Sequence, residues 1–289
     1  MPVKFQPYYV PSQSPWPLMG ALGLFLLASG AGLWISGLAP LAGPIVFILG
    51  TLVMIVMLFG WFGNVIQESK SGLYSAQMDR SFRLGMTWFI FSELMFFVGL
   101  FGALFYIRIL VVPWLGGASN NAMTHAVLWP DFIPQWPLLL TPGGIKTTAI
   151  SWMGLPLINT IVLLTSSITL HLAHLALRRN QRSPLTLWLG ITVLLGIAFL
   201  ILQAWEYSHA YQELGLKFNS GIYGSTFFLL TGFHGAHVML GTLLLMIMWI
   251  RVQRGHFTSA QHFGFQATSW YWHFVDIVWL GLFVTVYIL

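Results

Sequence analysis

Apolar residues arrive along this chain in seven long runs, separated by short stretches that hold nearly all of the charge. Each run reaches the roughly 20 residues that a helix needs to cross a bilayer. The pattern predicts helices over Leu18–Ser36, Ile45–Ile66, Leu84–Ile107, Leu157–Leu177, Leu185–Tyr207 and Ile222–Trp249, and from Phe263 to the C-terminus. A polar, proline-rich arm, Met1–Pro17, precedes the first, and the uncharged turn Gly37–Pro44 joins the first two. Asp79, Arg80 and Arg83 fall in a predicted polar loop before the third helix. The one long connection, Pro113–Pro156, is rich in Gly, Pro and Trp, and its few charges suit the membrane surface or a partner better than a separate domain. The expected fold is therefore all-α and polytopic, a single domain over residues 1–289 with seven transmembrane helices.

Composition closes off the alternatives. Of 289 residues, 57% are hydrophobic and only 7% charged, against about 25% charged in soluble domains. There is no Cys, so disulfides, thiolate metal sites and a cysteine nucleophile are excluded. The net charge of +5 does not gather into a patch, which argues against nucleic acid as a partner. Its distribution carries topology instead. With the N-terminus inside, nine basic residues fall on the inner side: Lys4, Lys70, Arg80, Arg83, Arg178, Arg179, Arg182, Arg251 and Arg254. Three, Arg108, Lys146 and Lys217, fall outside. That bias satisfies the positive-inside rule and predicts the N-terminus inside and the C-terminus outside. The polar arm shows no apolar core or cleavage site of a signal peptide.

Ionisable residues inside the apolar runs are costly, by about 2.5–3.5 kcal/mol each, and so are the candidates for function. Glu93 lies in the middle of the third run among Phe and Leu, where a carboxyl must be neutral or bonded to a partner. It can handle protons, or simply anchor two helices. His234 and His237 share a helix face three residues apart, and His171 and His174 repeat that spacing. Two such pairs could ligate haem or metal, but histidines also serve as hydrogen-bonding links between helices. Gly232, Gly235, Ala236 and Gly241 interleave with the first pair and suit a close helix–helix seam. In the last run His273 and Asp276 lie on one face, where pairing would lower the burial cost of both. Glu93 and Asp276 each sit about ten residues in from the inner side, at similar expected depth.

The inner rim holds Glu68, Lys70, Arg80, Arg83, Arg251, Arg254, His256 and His262, a set suited to anionic lipid headgroups as well as to topology. No Walker A loop, Rossmann fingerprint or nucleophile motif is present, and no residue set makes a stand-alone catalyst.

Several phrases together resemble a known family. These are Ser14-Pro-Trp-Pro17, Arg83-Leu-Gly-Met86 leading to Ser92-Glu-Leu-Met-Phe-Phe97, and Pro156-Leu-Ile-Asn-Thr160. The most specific are Gly232-Phe-His-Gly-Ala-His237 and Trp270-Tyr-Trp-His-Phe-Val-Asp-Ile-Val-Trp279. The chain resembles subunit III of haem–copper cytochrome c oxidases over nearly its whole length, and the presence of the first two helices separates it from the shorter quinol oxidase third subunits.

The resemblance implies a non-redox subunit of a proton-pumping oxidase of the aerobic respiratory chain, with no catalytic residue and no haem, copper or other metal of its own. Partners would be the catalytic subunit I as main contact, subunit II, structural phospholipids, and cytochrome c as substrate of the complex. The work implied is to stabilise subunit I and support proton uptake, from a V of two helices against five whose cleft holds lipid. Glu93 matches the family's buried, carbodiimide-reactive carboxyl, while Glu68, Arg83, Arg251, His256 and Phe257 fall among the expected lipid contacts. Departures lie at Gly72-Leu73-Tyr74, where many members carry His-His, at Gln266 in place of Glu, and at Gln261 in place of a second His. The expected location is a bacterial cytoplasmic membrane rather than the mitochondrial inner membrane. Two other readings are a transporter or channel relaying protons through Glu93 and Asp276, and a bis-histidine haem protein.

Overall fold

The computed structural model describes residues 8–11 and 13–289; Lys4 and the remainder of the polar arm lie outside the described residues. Among the described residues, seven helices are long and apolar enough to cross a membrane. They are α1 (Trp16–Ile35), α2 (Ala42–Lys70), α3 (Ala76–Tyr106), α4 (Leu155–Arg178), α5 (Arg182–Gln212), α6 (Ile222–Gln253) and α7 (Phe263–Leu282). A wider turn, Phe283–Ile288, continues α7 almost to the C-terminus. The chain divides into two compact units inside α3, residues up to Leu84 and from Gly85 onward.

The apolar runs underestimate the helices. The predicted polar loop around Asp79, Arg80 and Arg83 is the first two turns of α3. Ser75 caps that helix by accepting the Met78 N–H through Oγ at 3.4 Å, and Arg83 Nε donates to Asp79 Oδ2 at 2.7 Å across one turn. An N-terminal Ser cap and an i,i+4 ion pair stabilise a helix without any apolar contribution. The connection 113–156 also carries more order than its composition suggests. It contains a helix at Ala122–Leu128 and a bridge between Leu140 and Lys146, and Phe132, Leu138 and Ile150 are buried in the core. Thr148 N–H donates to the Leu214 carbonyl at 3.1 Å, fastening the connection to the end of α5.

In the first unit, α1 and α2 form an antiparallel hairpin held by glycine. Gly23 and Gly30 on α1, and Gly43 and Gly50 on α2, are each seven residues apart and so return to one face. A Cβ added at Gly43 would stand 2.6 Å from Trp34 N, and one at Gly50 the same distance from Leu27 N; Gly30 abuts the Phe47 backbone as closely. The two backbones therefore touch, which lets dispersion hold the pair where lipid offers no hydrophobic driving force. Large side chains such as Leu18, Phe25, Ile45 and Phe59 point outward.

The second unit is bound differently. Helices α4 and α7 run antiparallel in one register, recorded by three side-chain hydrogen bonds. The Trp279 indole N–H donates to Thr160 Oγ1 and that of Trp272 to Ser166 Oγ, each at 2.9 Å, and Ser167 Oγ bonds His273 Nδ1 at 2.7 Å. Thr169 and Thr192 link α4 to α5 at 2.8 Å, and Tyr207 and Thr231 link α5 to α6 at 2.7 Å. Trp272 is fully buried, with Gly196 of α5 and Gly241 of α6 against its ring. One indole thus touches three other helices.

Backbone contact across the hairpin gives a direct test. Gly50→Ala is expected to lower the stability of α1–α2 by about 1–3 kcal/mol through overpacking. Gly63→Ala, whose Cβ would meet nothing within 4 Å, is expected to be neutral or slightly stabilising. Protease resistance and thermal unfolding in mild detergent compare the two; equal behaviour would contradict a glycine-dependent seam.

Candidate functional site

Glu93 of α3 is half-buried and meets a partner that lies 144 positions along the chain: His237 Nε2 stands 3.0 Å from its Oε2. The other imidazole nitrogen, Nδ1, lies 2.7 Å from the Phe233 carbonyl, the oxygen one turn back on α6. A carbonyl only accepts, so Nδ1 carries a proton, and Nε2 faces the carboxyl. The pair then shares one further proton, either as acid and neutral imidazole or as carboxylate and imidazolium. Phe96 and Tyr271 stack on the ring at 6.1 and 6.3 Å, and Phe97 meets it edge-on at 5.0 Å. An aromatic wall around a proton-sharing pair keeps water from competing for its hydrogen bond.

His234, one turn from His237, is fully buried. Its Nε2 reaches the Val275 carbonyl of α7 at 3.3 Å, and its ring packs against Phe199 and Trp279 at 5.7 and 5.0 Å. Asp276 is buried beside half-exposed His273, whose Nδ1 lies 3.6 Å from Oδ2 and also bonds Ser167. Glu93 and Asp276 are thus each matched to a separate imidazole, and no hydrogen bond links them among the described residues. His174 packs against His262 and Phe265, at 5.7 Å from each, well away from the partners of His234. The two histidine pairs do not converge, and His234 and His237 both have Nε2 committed to an oxygen. No three of His, Asp and Glu gather as a metal set among the described residues.

Several charged residues of the rim have partners within their own units. In the first, Glu68 accepts from the Tyr74 hydroxyl at 2.7 Å and from Tyr9 at 3.3 Å, tying the arm and the α2–α3 connection to the end of α2. Arg83 is paired with Asp79. In the second, Arg251 lies over the Phe257 ring at 4.4 Å with its Nε unpartnered, beside half-buried His256. Phe257 also lines a shallow recess with Leu177, Asn180, Arg182 and Thr258. Burial first, then the Glu68 bond and charge, hold the Tyr74 phenol well above its ordinary range.

Sequence reasoning missed Glu206. The apolar run ends at Tyr207, which places Glu206 at a helix terminus, yet α5 continues to Gln212 and the carboxyl is 1% exposed. Tyr287 donates its hydroxyl to Glu206 Oε1 at 2.6 Å. The polar spacing Gln203, Glu206, His209, Glu213 on one helix face was the available signal.

Among the described residues, seven long apolar helices with carboxyl–imidazole pairs among their side chains define a polytopic all-helical membrane protein. A family model described as cytochrome c oxidase subunit III matches residues 6–289, and the chain belongs to that family. It is 39% identical to a protein named cytochrome c oxidase subunit 3 from Dugong dugon, over 97% of this chain and 96% of the relative. The same-named proteins of Homo sapiens and Osphranter robustus are 40% and 38% identical over the same shares.

The tyrosine clamp on Glu68 yields a pH prediction. A raised phenol pKa favours the protonated, folded form, so its contribution is complete below pH 10.0 and is lost as pH rises above that value. In ultraviolet titration, the wild-type minus Tyr74→Phe difference is expected to show a phenolate that forms only above the ordinary tyrosine range. Titration at the ordinary position would show that Tyr74 is not held by Glu68.

Proposed function

We propose that this chain serves an oxidase complex as its non-redox third subunit, stabilising the catalytic subunit I, holding structural phospholipid and supporting proton uptake. The observation that carries the reading is the family match over nearly the whole chain, taken with the pairing of Glu93 with His237 and of Asp276 with His273. Side chains already bonded within the chain suit a scaffold better than a reaction centre. The unpartnered Nε of Arg251, beside the exposed residues of the α6–α7 connection, supports the phospholipid contact, with Glu68, Arg83, His256 and Phe257 as further contacts. Subunit I would be the main partner, subunit II a member of the same complex and cytochrome c its substrate. Haem and copper would reside on the partners, with no catalytic residue here. The arrangement of two helices against five, the N-terminus on the inner side and residence in a bacterial cytoplasmic membrane belong to the same reading.

The decisive experiment is a pull-down of the tagged chain from native membranes in mild detergent. Haem bands that arrive with a large partner and vanish when the chain is isolated support the proposal, whereas a colourless chain without partners sinks it. Glu93→Gln is expected to leave oxygen consumption within about twofold of wild type, because the change removes a charge yet keeps a hydrogen-bonding group for His237. Loss of haem from the Glu93→Gln complex would contradict this. Arg251→Ala is expected to reduce bound anionic phospholipid by mass spectrometry and to shorten the active lifetime during turnover. Unchanged lipid content would remove Arg251 from the set.

A further inference from the structure

Glu206 has no part in the reading above, and its surroundings are unlike those of Glu93 or Asp276. No imidazole bonds the carboxyl directly. Oε1 accepts from the Tyr287 hydroxyl of the segment that ends the chain, while Oε2 is buried without a partner. One turn back on α5 stands buried Gln203, beside Tyr207, whose hydroxyl bonds Thr231 of α6. Tyr223 of α6 lies within electrostatic reach of the same carboxyl. One turn forward stands His209, which lies within electrostatic reach of Glu206. Its Nδ1 is 3.1 Å from Glu213 Oε2. Exposure rises steadily along this face, from 1% for Glu206 to side-chain values of 40% for His209 and 69% for Glu213. The titratable groups around Glu206 are therefore Tyr287 at the chain end, Tyr223 on α6, and Tyr207 and His209 on its own helix. None of them is a fixed cation.

A buried carboxyl with one oxygen unbonded is an expensive way to make a structural hydrogen bond, since Asn or Gln would satisfy Tyr287 without a buried charge. The neighbouring row of imidazole and surface carboxyl, each one helical turn apart, supplies what such a group needs if its proton is to come and go. We propose that Glu206 is a buried proton-binding site that exchanges with water at the α5–α6 connection through His209 and Glu213.

In the inward step, the Glu213 carboxylic acid gives its proton to His209 Nδ1. The imidazole releases its Nε2 proton to the Glu206 carboxylate, which becomes the acid, and a ring flip resets the tautomer. Water then reprotonates Glu213. One proton moves and no electrons do. Tyr287, fixed on Oε1, leaves Oε2 as the oxygen that gains and loses the proton.

Infrared spectroscopy on the assembled complex, stepped in pH and exchanged from water into deuterium oxide, tests this. Glu206→Gln is expected to remove a protonated-carboxyl carbonyl band that rises and falls with buffer pH. His209→Phe, at a half-exposed position that leaves the Tyr287 bond intact, is expected to slow deuterium exchange of that band by about tenfold or more. Tyr287→Phe keeps the carboxyl and is expected to shift the band's frequency. A carbonyl region unchanged by Glu206→Gln at every pH would overturn the site, as would a band that Tyr287→Phe leaves in place. Exchange at the wild-type rate in His209→Phe would overturn the path. Because the band belongs to this chain's own fold, it can also be sought in the isolated chain, so failure of the complex assignment and failure of this site are separable.

Discussion

In hydrocarbon a polar group has no water to fall back on, so each one brought into the bundle must find its partner in protein. Helix α7 shows the consequence most fully. Trp272 and Trp279 carry large apolar rings, each with a single N–H, and both N–H groups end on hydroxyls of α4. The Trp272 ring can reach Ser166 only because Gly196 and Gly241 leave room for it on α5 and α6. A ring wedged between glycines and pinned by one hydrogen bond sets both the spacing and the rotation of four helices. Each such bond contributes only about 0.6 kcal/mol on average in membranes, so its main effect is to specify geometry rather than to supply stability.

The two units solve the packing problem by opposite means. Between α1 and α2 the seam is backbone against backbone, with glycines at seven-residue spacing and, among the described residues, no side-chain hydrogen bond crossing the helices. Close approach maximises dispersion, the attraction that lipid tails cannot already supply. In the second unit, aromatic bulk fills the space between helices, and hydroxyl, indole and imidazole groups fix the register. Glycine there makes sockets for rings rather than a continuous seam.

The carboxyl–imidazole pairs follow from the same constraint. Glu93 with His237, and Asp276 with His273, each bring an acid and a base together from the bundle's own side chains, so that neither is left as an isolated charge. Groups committed in this way hold helices and share protons locally. That character suits a subunit whose proposed work is to support a catalytic neighbour. Glu206 departs from it because its hydrogen-bond partner is a phenol rather than an imidazole.

What the sequence determined by itself is what depends on local runs of residues. Seven crossings, the all-helical class and the family resemblance were legible, since about 20 apolar residues in a row make a helix wherever the rest of the chain goes. The same logic concealed the helix ends. Apolar runs report the hydrocarbon span, while α3 begins eight residues before its predicted start because Ser75 and the Asp79–Arg83 pair stabilise turns that need not be apolar. It also hid Glu206, which stands at a helix end if α5 stops with its apolar run at Tyr207, whereas the helix continues to Gln212. Partnership between helices belonged to the tertiary structure alone. Glu93 required a partner from its surroundings, but that the partner is His237 depends on how α3 and α6 turn about their axes, whereas the Asp276–His273 pair, three apart on α7, follows from helical spacing. Those rotations are set by ring-in-glycine contacts between residues far apart in the chain, which no local pattern encodes.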